Sequence, residues 1–258
     1  PTCFYGTPSY ALRLLEVAQK EGFDPLRDFA FRIMFFSGEP GAGILHMKKQ
    51  LESAFGAKVI DMGSMAEMTP WMTNAECSER TGMHLWQDIV YTEVCDPKTF
   101  QPVSFGSEGT PVYTHLERTS QPMIRLISGD LTTWTNDPCP CGRTYPRLPR
   151  GIYGRIDDML LIRGNNVYPY VIEDVVRSLP GIGNEYRVII TREGSMDELA
   201  IEVECASNDS NSEASLRVLI TEKIQSAIGV RPVVRMMKPN SLARTEFKSR
   251  RIIDKRAG

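Results

Sequence analysis

The apolar positions of PSYALRLLEVAQKE, residues 8–21, recur at Leu12, Leu15 and Ala18, on one face of a predicted helix that Gly22 would stop. An apolar run, FRIMFFS, follows as a strand and enters the turn GEPGAG. A second amphipathic stretch, ILHMKKQLESAF, reads as a helix ending at Gly56, and KVIDMG as another short strand. Strand, glycine turn, helix and strand in succession are the rhythm of an α/β sheet, whose ligands sit beyond the carboxyl ends of the strands.

Residues 84–135 are richer in β signals: HLWQDIVYTEV, GTPVYTHLE and MIRLISGDLTTW alternate between Pro, Gly and Asp turns. Further along, MLLIRG predicts a strand, YVIEDVVRSL a helix, EYRVIITRE and ELAIEVECA a hairpin, SEASLRVLITEKIQSAI a helix and VRPVVRMMK a last strand. That order, β-α-β-β-α-β, is the ferredoxin-like plan, a compact unit of about a hundred residues. The expected fold class is therefore α/β with α+β. A first domain, a mixed sheet plus a β-rich part, covers residues 1–155, and a small one covers 156–258, with the boundary close to Asp157. No internal repeat or low-complexity tract interrupts this order.

Composition removes several function classes. With 41% hydrophobic and 24% charged residues in 258, and a net charge of -2, the chain is ordinary globular material without a basic field for nucleic acid. No apolar run approaches the roughly 20 residues that span a bilayer, and no membrane partner is expected. The opening PTCFYGTPSYALRLLEVAQ lacks the order of basic, apolar and small residues of a signal peptide, so a cytoplasmic location is expected. Six cysteines are too sparse for a disulfide scaffold and point to reduced thiols or a metal site. Cys139 and Cys141 in PCPCGR, with Cys77 and His84 of CSERTGMH, would suit a closed tetrahedral structural zinc site. Buried or free reduced thiols are the alternative, and Cys3, Cys95 and Cys205 read as ordinary apolar cysteines.

SGEPGAG, GSMAE, SGDLTTW, CPCGRT, GRIDDMLLIRGNNVYP and LARTEFKSRRIIDKR stand in the order and approximate spacing of the adenylate-forming acyl-CoA ligases. Within that superfamily the chain most resembles the phenylacetate-CoA ligases. The resemblance implies the C-terminal part of a large AMP-binding domain followed by the small mobile domain. It also implies an enzyme that activates a carboxylic acid with ATP to an acyl adenylate, which the thiol of coenzyme A then attacks. ATP, coenzyme A and Mg²⁺ are the implied cofactors, with an aryl acid such as phenylacetate as substrate.

By this resemblance Gly38, Glu39 and Pro40 border the adenine, where taken alone they form a plain glycine turn. Glu67 would by the same resemblance help to hold Mg²⁺, as a hard carboxylate can, a surface glutamate in a loop being the alternative. The aromatic, glycine and hydroxyl positions that precede it in the family are Gly63, Ser64 and Ala66 here, a departure that puts the adenine and phosphate roles in doubt. By the same resemblance Asp130 would accept the ribose hydroxyls, a capping or turn aspartate being the alternative, and Arg155 would lie near the nucleotide. Asp157 is the expected hinge on which the small domain turns between adenylation and thioester formation; a fixed linker is the alternative. Arg163, Gly164 and Asn165 form the turn presented to the pantetheine arm of coenzyme A. Lys248 matches the family lysine that reaches the carboxylate and α-phosphate, although Phe247 replaces the usual glycine before it. By composition alone, Arg244, Lys248, Arg250 and Arg251 would be a solvated basic run or a weak anion patch.

The Ser/Thr/Gly-rich phosphate loop of the superfamily is not in these 258 residues, so the chain reads as the C-terminal portion of a ligase that is inactive alone. An adenylation enzyme loading a carrier protein, or a nucleotide- or CoA-binding module without turnover, are the competing readings. The oligomeric state is left open, a homodimer being one expectation.

Overall fold

Thr7 accepts a hydrogen bond from the Tyr10 N–H, and Pro8 supplies the fixed φ of a first helical turn. In this computed structural model, which describes residues 1–63, 65–69, 72–194, 196–207, 210–243 and 251–256, the helix after that cap is α1 (Pro8–Lys20). It follows a strand that the hydrophobic pattern did not announce, β1 (Cys3–Gly6). Cys3, expected as an ordinary apolar cysteine, is exposed there, because a short edge strand turns that side chain to solvent.

A short helix, α2 (Pro25–Asp28), leads to β2 (Ile33–Phe36), α3 (Leu45–Phe55) and β3 (Lys58–Gly63). Gly56 ends α3 at φ 64°, in the left-handed region that favours glycine, which is why the predicted stop holds. Strands β1, β2 and β3 are parallel, and α1 and α3 bury Leu12, Met47, Leu51 and Phe55 with Met34, Phe36 and Val59 of the sheet.

The sheet then turns antiparallel through β4 (Asn74–Glu76) and β5 (Met83–Leu85). A second sheet forms from β6 (Val90–Cys95), β7 (Glu108–His115), β8 (Leu126–Ile127) and β9 (Asp130–Thr133). Next in the chain, β10 (Arg147–Leu148) returns to β5, and β11 (Gly154–Arg155) pairs with β9. These elements make one unit, Pro1–Asp157; a second comprises Asp158–Gly258.

The second unit departs from the ferredoxin-like expectation. Its first strand, β12 (Leu160–Ile162), is consumed in a hairpin with β13 (Asn165–Val167) and does not enter the larger sheet. After α4 (Pro169–Arg177) come β14 (Ile182–Glu193), β15 (Met196–Cys205), α5 (Ser210–Ile228), β16 (Val233–Met237) and β17 (Ile252–Asp254). The sheet order is β16-β15-β14-β17: β16 lies directly beside β15 and parallel to it, where the ferredoxin-like plan would insert the first strand, and β17 adds a parallel strand on the other side of β14. A turn of only two residues sends β12 straight back on itself onto β13, so it does not enter between β15 and β16. Ile172, Val176, Val188, Ile201, Ile220 and Ile224 form the core between the helices and this sheet. Among the described residues, no helix is long and apolar enough to cross a membrane.

Candidate functional site

Asp130 opens β9 and Arg155 ends β11, and the antiparallel register sets the two directly opposite each other. The guanidinium joins three positions that the sequence had marked separately. Its Nη1 lies 3.2 Å from Asp130 Oδ1, while Nε and Nη2 donate to the Asp157 carboxylate at 2.8 and 3.1 Å. This fork holds the Asp157 carboxyl below the usual carboxylate range. Gly129, at φ 75°, makes the passage possible: a Cβ there would stand 3.1 Å from Arg155 Nη2. Asp130 is further oriented through its own N–H, which donates to Ser128 Oγ at 3.0 Å.

The other nucleotide candidates have local duties. Glu39 accepts the Ser9 N–H at 2.6 Å and so places a negative charge at the amino end of α1. Gly38, at φ 92°, and Pro40 flank it on an exposed turn. Glu67 is exposed on the turn after β3, with its backbone carbonyl accepting from Arg118 Nη1. Between α3, β3 and β4 lies a buried ionic group that sequence reasoning missed. Lys48 Nζ is 2.6 Å from both Glu76 carboxylate oxygens, and Glu76 Oε2 also accepts the Asp61 N–H at 2.9 Å. Burial, reinforced by Glu76, pushes the Asp61 carboxyl up to about 8, so it is protonated at neutral pH. The available signal was Lys48 itself, which occupies an apolar-face position with Ile44, Leu51 and Phe55 in the helical spacing of α3.

Cys77, His84, Cys139 and Cys141 are brought together with their ligand atoms within 4.8 Å of one another. Cys77 follows β4, His84 sits in the middle of β5, and both other thiols come from the segment between β9 and β10. The Sγ atoms of Cys77 and Cys139 are 3.7 Å apart, and Cys141 Sγ is 3.4 Å from His84 Nε2. A tetrahedron with Zn–S bonds of about 2.3 Å has edges of about 3.8 Å, so the donor set fits a closed zinc centre. The Arg143 backbone N–H, aided by other donors, lowers the Cys141 thiol to about 7. Arg147, nearly buried, ties the two sides together by donating to the Thr81 carbonyl at 2.8 Å and the Asp137 carbonyl at 2.9 Å. All six cysteines are free of disulfides.

In the second unit, Arg163 (φ 50°) and Gly164 (φ 80°) are the two central residues of the β12–β13 hairpin, the signature of a type I′ turn. Asn165 Nδ2 closes it on the Arg163 carbonyl at 3.2 Å. Lys248, with Arg244, Phe247 and Arg250 around it, lies outside the described residues, as does Ser64. Arg251 is described and is largely buried: its Nη1 is 3.4 Å from Glu173 Oε1, its Nε 3.5 Å from Glu185, and it stacks over Tyr186. It is thus no part of a solvated basic run.

Residues 164–256 match the AMP-binding enzyme C-terminal domain family. A phenylacetate-coenzyme A ligase of Thermus thermophilus is 35% identical over 97% of this chain and 59% of its own length. A phenylacetate-coenzyme A ligase of Pseudomonas putida is 30% identical over 99% of this chain and 58% of its own. A crystal structure of 2-hydroxyisobutyryl-CoA ligase, in the postadenylation state in complex with 2-HIB-AMP, is 54% identical. It has a TM-score of 0.92 and covers 99% of this chain and 55% of that one. The chain therefore spans a little under three fifths of the length of these relatives, and resembles the C-terminal portion of adenylate-forming enzymes.

Proposed function

From this relation over nearly its whole length to CoA ligases that form acyl adenylates, we propose that the chain is the ribose-binding and hinge-bearing part of an acid–CoA ligase. The observation that carries the reading is the Asp130–Arg155–Asp157 network, which ends at the last residue of the first unit. Asp130 accepts the ribose hydroxyls, and Asp157 is the pivot. Glu67 is the carboxylate that would hold Mg²⁺, whose chemistry is to neutralise phosphate charge. Lys248 brings a mobile positive charge to the acid and α-phosphate, and the Arg163–Gly164–Asn165 turn faces the pantetheine arm. The acid we propose is a small 2-hydroxy acid, because the 54%-identical relative was solved with 2-HIB-AMP. An aryl acid is the second reading, favoured by the phenylacetate ligases at 35% and 30% identity.

Acid-dependent ATP–pyrophosphate exchange, on a protein of the relatives' length that contains this chain, tests the proposal. Exchange with 2-hydroxyisobutyrate supports it, and exchange with phenylacetate alone moves the acid to the second reading. CoA-dependent AMP release separates CoA from a carrier protein as acceptor. Absence of exchange with every acid overturns the ligase and leaves a binding module.

The cysteine cluster is proposed as a structural zinc centre without an open catalytic position. Elemental analysis is expected to find about one zinc ion per chain, and none in the Cys77→Ser, Cys139→Ser double variant. A metal-free parental protein would show the thiols to be merely buried together.

A further inference from the structure

The β12–β13 hairpin is built from strands of three residues each, and a hairpin of that size is marginal by itself. Its turn also places Arg163, which carries a Cβ, at φ 50°, a conformation that favours glycine. The position of such a turn is decided by what holds it from outside. Two hydrogen-bonding anchors do so, and one small residue makes room beside them. Arg163 Nε donates to the Asp197 carbonyl at 2.7 Å. Arg256 Nη1 donates to the Leu161 carbonyl at 2.6 Å and to Asp197 Oδ2 at 2.8 Å. Gly229, just past α5, leaves room for the Asn165 side chain, which a Cβ would meet at 3.1 Å.

Arg256 is well placed for this task. Its Nε and Nη2 are fixed on the Asp254 carboxylate at 3.0 and 2.6 Å, and β17 is itself laid against β14. Asp197 is oriented in turn by Arg192 Nε at 2.8 Å. The side chains of Arg256 and Asp197 are only 16% and 11% exposed, so the pair is shielded from much of the screening that weakens surface ion pairs.

We infer that Arg256 and Asp197 are positioning residues for the thioester-forming step: they hold the Arg163–Gly164–Asn165 turn where coenzyme A must find it. The inference rests on the reading of that turn as the CoA-facing one. Neither side chain is a catalytic residue; both act through the turn. Their effect is confined to the second half-reaction, because the turn has no role in adenylation.

The test uses Arg256→Lys, which keeps the charge and loses the fork, and Asp197→Asn, which keeps the shape and loses the charge. Both are made in a protein of the relatives' length and assayed in two steps. With preformed acyl adenylate, kcat/KM for CoA is expected to fall on the order of 10²-fold, the scale of a reactant displaced by about 1 Å. Acid-dependent ATP–pyrophosphate exchange is expected to keep the parental rate. Equal loss in both steps would mark a general folding role and overturn the inference, as would an unchanged CoA step in both variants. If the parental protein exchanges pyrophosphate but turns over no CoA, the CoA-facing reading falls and the inference with it.

Discussion

Lys48→Met is expected to destabilise the Pro1–Asp157 unit by about 3–5 kcal/mol, the cost of leaving a buried charge without its partner. Lys48 and Glu76 are 8% and 5% exposed as side chains, so water offers Glu76 no substitute for the lost ammonium. The neighbouring Asp61 adds little to the effect, because its carboxyl is already held in the protonated form by burial and by Glu76. Replacing both partners, Lys48→Met with Glu76→Leu, is expected to recover most of the loss, since no uncompensated charge then remains. All three tryptophans lie at or before residue 134, so fluorescence during urea unfolding reports on this unit. A single variant as stable as the parent would show that Glu76 finds another partner or takes up a proton without cost.

Asp157→Pro is expected to separate the two half-reactions of the proposed ligase. Proline fixes φ near −65° and removes the freedom a pivot requires. Thioester formation should fall on the order of 10²-fold, equal to about 2.7 kcal/mol of barrier, while pyrophosphate exchange continues. Asp157→Ala loses the Arg155 fork but keeps the backbone freedom, and it should support both steps. Since the Arg155–Asp157 contact is exposed, its removal is expected to change stability little. Equal rates for Asp157→Pro and the parent in both steps would remove Asp157 from the hinge.

Much of the first unit was legible in the chain. The helix at residues 8–21 and the helix ending at Gly56 follow from apolar spacing and a left-handed stop, both local properties. Cys77, His84, Cys139 and Cys141 could be grouped from sequence because thiols and histidines are few, although 62 residues separate Cys77 from Cys139. The Lys48–Glu76 pair gave no such warning. It depends on β3 and β4 lying side by side, and a lysine on an apolar helix face signals only that a partner must exist.

The second unit shows the other limit. The elements that were read stand in the right order and the β14–β15 hairpin is found, yet β13 and β17 were not foreseen and the first strand was assigned to the wrong sheet: MLLIRG reads equally well as a strand of a hairpin or of the larger sheet. Arg256 was invisible for the same reason, since its partners lie 59 and 95 residues away along the chain.

What the sequence determined by itself was the type and order of the longer elements, the candidate ligands and the acids and bases that carry a ligase resemblance; the short strands β1, β13 and β17 were not among them. Only the tertiary structure decided that Arg155 joins Asp130 to Asp157, that β17 flanks β14, and that Arg256 reaches the Arg163 turn. Periodicity is written into neighbouring residues, whereas a hydrogen bond or ion pair forms only where packing and strand register bring two groups within about 3 Å.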